Sequence, residues 1–207
     1  MHETRRLLEA ATALSLVLRN ASIPHAFYGS VLTAVLASTP LSDASGQNQA
    51  HPFRRTRDAV SGNEDFTVTH SPWTNRLHVT YRRLIPAIDV SISLLCRSKH
   101  LPNANLSIFK IEILPAGETG PRHLDTSTVM RVQNVPFLTV SEFIRAKLKS
   151  WVIRGSERDA QDILYVLIRY WNRVDINRIT EQDMNVFVSR NASAAPAWLA
   201  LRRKYGM

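Results

Sequence analysis

Two consecutive helices are predicted between Thr139 and Ile168, and they constrain the fold more than any other part of the chain. Thr139 stands three residues before Glu142, and Ser156 three before Asp159, the spacing at which a hydroxyl and a carboxylate satisfy free N–H groups at a helix start. Apolar side chains then recur at helical spacing in both segments. These side chains are Phe143, Ile144, Leu148, Trp151, Val152, Ile163, Leu164, Leu167, Ile168 and Trp171. The pattern predicts a helix pair in which each member buries one stripe.

The first predicted helix also carries basic residues, and the second carries an acidic pair. The basic residues are Arg145, Lys147, Lys149 and Arg154. Asp159 and Asp162 stand one turn apart in the second helix, away from its apolar stripe. An amphipathic helix pair with a solvated basic face explains this pattern without any ligand. A phosphate-binding surface explains it as well, because lysine and arginine are common phosphate contacts.

The order of these residues resembles the C-terminal helical part of small nucleotidyltransferase-fold proteins. The matching elements are the Ala-Lys-Leu-Lys-Ser-Trp segment around Lys147, then Arg154, then the Asp-x-x-Asp-Ile motif that begins at Asp159. In that family the lysine and the arginine face nucleotide phosphates, and the Asp-Ile element packs and orients them. The resemblance therefore implies that Lys147 and Arg154 bind a nucleoside triphosphate.

A second match to this family lies nearer the N-terminus. Apolar spacing predicts a first helix over residues 4–20. A short strand from Ile23 then runs into a turn at Gly29 and Ser30, and a second helix continues to about Leu36. In nucleotidyltransferases the first strand ends in Gly-Gly or Gly-Ser, where backbone N–H groups at a helix start approach the triphosphate. The resemblance implies this role for Gly29 and Ser30.

The family also requires carboxylates that hold two Mg²⁺ ions through hard oxygen ligands. Asp43 stands at a plausible distance for the Asp-x-Asp strand, but Ala44 and Ser45 follow where a second acid is expected, and Asp58 lies too far downstream. Glu112, in Ile-Glu-Ile-Leu-Pro, resembles the third metal carboxylate. The resemblance thus implies Asp43 and Glu112 as metal ligands and catalytic residues. Two carboxylates in place of three predict a degenerate site with little or no activity.

The middle of the chain predicts one clear β-hairpin. Residues 65–70 and 75–82 alternate at period two and are rich in β-forming side chains. The segment 51–61 before them is strongly basic and is interpreted as a solvated connection, with a phosphate-contacting loop as the alternative. We expect residues 43–61 to be irregular.

Residues 90–110 separate this hairpin from the strand that carries the third carboxylate. One hypothesis is a retained intron read in frame, since Val90-Ser-Ile fits a splice donor and the Lys110 codon fits an acceptor. Residues 88 and 89 would then join 111 and 112 in one strand. The alternative is a genuine insertion with an extra strand over 90–95. Sequencing the spliced transcript distinguishes the two.

Composition limits the class of protein. The 207 residues suffice for one well-buried domain with a helical appendage. The net charge of +9 permits attraction to nucleotides, nucleic acid or anionic surfaces. A single cysteine, Cys96, excludes an internal disulfide and a cysteine-based zinc site. No apolar run approaches a membrane span and the N-terminus does not resemble a signal peptide, so we expect no membrane partner and a cytoplasmic or nuclear location.

The predicted fold is α+β: a nucleotidyltransferase-like mixed sheet with an N-terminal helix and a C-terminal helical part. Residues 1–138 are expected to form the core, with 43–61 and 90–110 irregular. Residues 139–207 are expected to form the helical part packed on that core. Its two further predicted helices span residues 180–190 and 196–205.

The sequence allows three interpretations. The resemblance implies a fungal-type relative of minimal nucleotidyltransferases, which would depend on Mg²⁺ if it is active. The incomplete set of carboxylates favours a degenerate protein that still binds a nucleotide or a partner over an active enzyme. The alternative is a basic interaction module that binds nucleic acid or protein without catalysis. The third is a reading frame that yields no stable protein, which rapid proteolysis without a resistant core would indicate.

Overall fold

The computed structural model describes residues 2–38, 52–70, 77–84, 106–113, 117 and 120–207. The described residues form both helices and antiparallel strands, so the predicted α+β class is confirmed. The helices are α1 (His2–Asn20), α2 (Ser30–Ser38), α3 (Pro52–Ser61), α4 (Val140–Arg154), α5 (Glu157–Tyr170), α6 (Glu181–Arg190) and α7 (Ala195–Lys204). The strands are β1 (Phe66–His70), β2 (Leu77–Leu84), β3 (Leu106–Ile113), β4 (Val129–Val132) and β5 (Val135–Leu138). Short 3₁₀ turns span Trp171–Arg173, Ile176–Arg178 and Ala192–Ala194.

The strands β1, β2 and β3 form an antiparallel sheet in that order. β1 pairs with β2 so that Phe66 lies opposite Tyr81, which confirms the predicted hairpin. β3 pairs with β2 from Leu106 to Ile113. The expectation that all of 90–110 is irregular was therefore wrong for its last residues, because 106–110 pair with β2 in the same strand as 111–113. The rest of that segment lies outside the described residues.

The basic segment before the hairpin is a helix and not the irregular connection that we expected. Proline occupies the first helical position of α3, where its missing N–H costs nothing. Thr56 and Val60, one turn apart, are buried at 2% and 0% exposure. The guanidinium of Arg55 donates to the carbonyl of Ala21 at 2.8 Å. Burial of one face therefore outweighs the charge of the other. Residues 43–51 lie outside the described part of the chain.

A second hairpin, β4–β5, anchors the N-terminal segment to the C-terminal helices. Gln133 and Asn134 form its two-residue turn, and both have positive φ angles, as a type I′ turn requires. Phe27 forms a parallel bridge with Phe137 of β5. Its N–H donates to the Pro136 carbonyl at 2.9 Å, and its own carbonyl accepts from the Leu138 N–H at 2.9 Å. β5 therefore lies between β4 and the segment that contains Phe27. The nucleotidyltransferase-like topology stays a prediction.

Two apolar clusters make up the core of the described residues. The larger joins α2, β4 and β5 to α4–α7, and it includes Phe137, Phe143 and Phe187 at 0% exposure. Trp151 packs edge-on against Phe187 with ring centroids 4.9 Å apart. The smaller cluster joins α1, α3, β1 and β2. Phe27 contacts both clusters. Burial of the apolar side chains in these two clusters stabilises the packing of the sheet and the helices.

Of the two predicted helix caps, the one at Ser156 is present and the one at Thr139 is not. Ser156 accepts from the Asp159 N–H at 3.4 Å, as predicted for the second helix. Thr139 caps nothing: its buried hydroxyl has no hydrogen-bond partner among the described residues. Glu142 binds arginines instead. Its two oxygens accept from the guanidinium groups of Arg145 and Arg178, and these ionic hydrogen bonds hold the carboxylate away from the helix start.

His25 is a partly buried polar residue between α1 and the Phe27 segment. Its Nδ1 donates to the Ile23 carbonyl at 2.8 Å, so its Nε2 accepts from the Ser15 hydroxyl at 2.9 Å. Burial is the main reason why the pKa of His25 is lowered, and the charges of Arg19 and Arg131 add to it, while the hydrogen bond to Ile23 opposes it. The folded protein therefore holds this ring in its neutral form.

We expect the free energy of unfolding to fall as the pH drops below about 6.5, the ordinary histidine pKa, because the unfolded chain binds a proton there that the folded chain excludes. Urea unfolding of the wild type and His25→Gln between pH 8 and 5 measures the effect. The variant should lose less stability than the wild type over this interval. Equal losses in both proteins would contradict the role of His25.

Among the described residues, no helix is long and apolar enough to cross a membrane.

Candidate functional site

The Gly29–Ser30 turn lies where the sequence predicts it. α2 begins at Ser30, and the Gly29 carbonyl accepts from the Leu32 N–H at 2.9 Å. Gly29 has a φ of 96°, in the region that strongly favours glycine. A Cβ at Gly29 would meet no atom of the described residues within 4 Å. The backbone conformation, and not crowding, is what requires glycine here.

The parallel bridge between Phe27 and Phe137 places the starts of α2 and α4 at the same end of this strand pair. Phe27 and Phe137 run side by side in the same direction. α2 begins three residues after Phe27, and α4 three residues after Phe137. Both helices therefore start beyond the carboxyl end of this strand pair. Each start presents unpaired N–H groups and partial positive charge, the property that favours anions.

Lys147 is buried between α4 and α5 and does not lie on a solvated basic face. Its side chain is 10% exposed. Its Nζ lies 2.7 Å from Oδ1 of Asp159 and 2.8 Å from Oδ2 of Asp162. The two carboxylates stand one turn apart, so both face the neighbouring helix and reach the same ammonium group. The solvated-face interpretation is thus wrong for Lys147.

This buried cluster contacts α2 as well. The Thr33 hydroxyl, one turn after Ser30, donates to Oδ1 of Asp162 at 2.9 Å. Arg154 lies 3.3 Å from Asp159 and keeps 59% of its side chain exposed. The structure therefore brings Lys147 and Arg154 together around Asp159, and it links them through Asp162 to the first turns of α2. We call Lys147, Arg154, Asp159 and Asp162 the lysine cluster. Sequence reasoning missed Thr33, since nothing in the spacing relates α2 to α5.

The predicted metal pair is not tested by the described residues. Glu112 lies in β3, where its register partner is His78. Asp43 lies outside the described part of the chain. Within the described ranges, no group of three or more histidine, cysteine or acidic residues could hold a metal ion. Asp159 and Asp162 are near each other, but Lys147 occupies the position between them. The Mg²⁺ site at Asp43 and Glu112 stays a prediction.

A second buried charge cluster lies at the start of α4. Glu142 is 2% exposed. Its Oε2 accepts from Nε of Arg145 at 2.9 Å, and its Oε1 accepts from Nη1 of Arg178 at 2.8 Å. Arg178 also lies 3.4 Å from Asp175. The hydrogen bond to Glu142 is the main reason why the pKa of Arg178 is raised. We call Glu142, Arg145 and Arg178 the arginine cluster.

An open cleft of about 430 Å³ lies beside the arginine cluster. The segment 121–128, the first turns of α4 and the 3₁₀ turn at 176–178 form its walls. Its lining is Pro121, Arg122, His123, Asp125, Ser127, Thr128, Glu142, Arg145, Asn177 and Arg178. Hydrogen bonds from Ser127 and Thr128 lower the pKa of the Asp125 carboxyl. Sequence reasoning missed this cleft, because its residues are far apart in the chain.

No protein-family model, curated protein or solved structure matches this chain.

Proposed function

We propose that this chain is a nucleotidyltransferase-like protein that binds a nucleotide and has a degenerate catalytic site. One observation carries the proposal: α2 starts at the Gly29–Ser30 turn and is tied through Thr33 to Asp162 of the lysine cluster. In the family that the sequence resembles, the same elements meet at the triphosphate.

The lysine cluster supports a division of roles between its two cations. Lys147 is buried, and two carboxylates balance its charge, so it positions α4 and α5 against α2. Arg154 is more than half exposed and has hydrogen-bond donors to spare. The proposal therefore assigns phosphate contact to Arg154 and to the backbone N–H groups at the start of α2. Lys147 acts through these groups as a positioning residue.

The residues of this chain support nucleotide binding better than they support catalysis. A phosphoryl transfer with two metal ions needs carboxylates that fix both ions and offset their charge. The sequence offers Asp43 and Glu112, one fewer than the family pattern. We therefore propose nucleotide binding with little or no transfer.

Thermal melting with each nucleoside triphosphate, with and without Mg²⁺, tests the proposal. A ligand that binds only the folded state stabilises it, by about 2.7 kcal/mol at a hundred times its dissociation constant. We expect a nucleotide-dependent rise in the melting temperature that Arg154→Ala reduces. Arg203→Ala removes the same charge from an exposed position of α7 and should keep the rise.

The outcomes separate the interpretations of the sequence. A rise that also requires Mg²⁺, and that Asp43→Ala and Glu112→Ala abolish, would justify an assay of nucleotidyl transfer. A cooperative melt that no nucleotide shifts would contradict nucleotide binding. The absence of any cooperative melt would indicate a reading frame without a stable product.

The second candidate function is a basic interaction module without catalysis. Val152 and Ile153 are 48% and 75% exposed at the end of α4, next to the exposed Arg154. Exposed apolar side chains beside a cation are typical of a contact surface. If the partner is RNA or DNA, phosphate contacts make the affinity fall steeply between 50 and 200 mM salt. Binding measured at these two concentrations, with Ile153→Ser as the variant, distinguishes this function from nucleotide binding.

A further inference from the structure

We infer that the cleft beside the arginine cluster binds a small ligand through a phosphate group. This site is separate from the nucleotide site proposed above. Its cationic and hydrogen-bond-donating side chains come from Arg122, His123, Arg145 and Arg178 of the lining.

Two of these arginines are held in place before any ligand arrives. Glu142 is buried, and each of its carboxylate oxygens accepts from a different guanidinium. The side chains of Arg145 and Arg178 remain 39% and 29% exposed, and both line the cleft. A guanidinium has five N–H donors in a fixed plane, and Glu142 uses only some of them. A buried carboxylate that orients two partly exposed arginines lowers the entropy lost when an anion binds.

The third arginine has no competing partner in the described structure. Arg122 is exposed, and the described residues give it no hydrogen bond and no ion pair. The adjacent His123 lines the same wall, and its ring is likewise without a hydrogen-bond partner in the described part of the chain. The lining contains three arginines against Asp125 and Glu142, and Asp175, which lies outside the lining, offsets part of the charge of Arg178.

The dimensions and donors of the cleft favour a phosphate ester. A volume of about 430 Å³ lies within the range of small-molecule sites. Phosphate has three terminal oxygens and can bind several guanidinium groups at once, whereas a carboxylate has two. Ser127 and Asn177 are exposed polar residues of the lining that can bind the hydroxyls of a sugar-sized ligand, whereas the Thr128 hydroxyl is already bonded to the backbone of His123 and Asp125. A small phosphorylated sugar has the matching chemistry.

The helix geometry separates this cleft from the lysine cluster. Successive residues of an α-helix are rotated by about 100°, so side chains two positions apart, such as Arg145 and Lys147, leave α4 on nearly opposite sides. Arg145 turns to the cleft, and Lys147 turns to α5. The two sites therefore use different faces of one helix, and a substitution in one leaves the side chains of the other in place.

Titration calorimetry with inorganic phosphate, ribose 5-phosphate and ribose tests the inference. We expect saturable binding of ribose 5-phosphate, weaker binding of phosphate, and no binding of ribose. Arg122→Ala should weaken ribose 5-phosphate binding about tenfold, the effect of one charge-assisted contact. Arg145→Lys keeps the charge but loses the planar fork, and it should also weaken binding.

Two matched variants make the result specific. Arg203→Ala removes one exposed arginine that is not part of the cleft lining, and Arg154→Ala removes the cation of the proposed nucleotide site; neither should change ribose 5-phosphate binding. Loss of binding in Arg154→Ala but not in Arg122→Ala would overturn the inference and place the phosphate at the nucleotide site. Equal weakening by Arg203→Ala and Arg122→Ala would overturn it as well, because general electrostatic attraction would then explain the data. No binding to the wild type would also overturn it.

Discussion

Lys147→Ala is expected to destabilise the protein by about 3–5 kcal/mol, the usual effect of removing one partner from a buried ion pair. The substitution leaves Asp159 and Asp162, which are 6% and 7% exposed, without the ammonium group between them. It also shortens a side chain that fills the space between α4 and α5. Urea unfolding followed by circular dichroism measures the difference.

The matched control is Lys149→Ala, which removes an exposed lysine from the same helix. Its effect should stay below about 0.5 kcal/mol, as for most surface substitutions. A triple variant that combines Lys147→Met, Asp159→Asn and Asp162→Asn should recover much of the loss, because it buries no unpaired charge. If Lys147→Ala costs no more than Lys149→Ala, the lysine cluster is solvated and does not hold the helices together.

Glu142→Gln is expected to cost about 2–3 kcal/mol, because it removes the one carboxylate shared by Arg145 and Arg178. The cost is smaller than for Lys147→Ala, since both arginines are partly exposed and water can solvate them. The same variant should weaken phosphate binding in the cleft, because the guanidinium groups lose their fixed orientation.

Glu9→Gln provides the matched control for this second prediction. It also breaks an arginine–glutamate pair, the one between Arg5 and Glu9 in α1. This pair is exposed, because the side chain of Arg5 is 81% exposed and that of Glu9 is 43% exposed. An exposed pair contributes less than about 1 kcal/mol. Urea unfolding of both variants at the same salt concentration compares them. Equal losses would mean that burial of Glu142 adds nothing to its ion pairs.

The helix pair was the most predictable part of the fold, because its signal is local. The predicted stripe places Phe143, Ile144 and Trp151 in the core, as the structure shows. Val152 and Ile168, at 48% and 46% exposure, were wrongly included. Periodicity identifies a face about 100° wide, but the packing partner decides where that face ends.

Helix α3 and the two charge clusters were not predicted, for different reasons. α3 was missed because its segment was interpreted from its basic charge alone, although its apolar and charged side chains already separate onto two faces at helical spacing. The pairs Lys147–Asp159 and Glu142–Arg178 join different segments of the chain. Sequence spacing carries no information about such contacts until the segments are packed together. The Gly29–Ser30 turn was found because a glycine before a helix start is a local signal.

The bridge between Phe27 and Phe137 has a consequence for synthesis on the ribosome. Phe27 emerges more than a hundred residues before its partner strand, a delay on the order of ten seconds at usual elongation rates. During that time the apolar residues Leu32, Val35 and Leu36 of α2 lack most of the core that later covers them, since most of that cluster lies after residue 129. We therefore expect the nascent N-terminal half to keep these apolar side chains exposed until the β4–β5 hairpin has been synthesised.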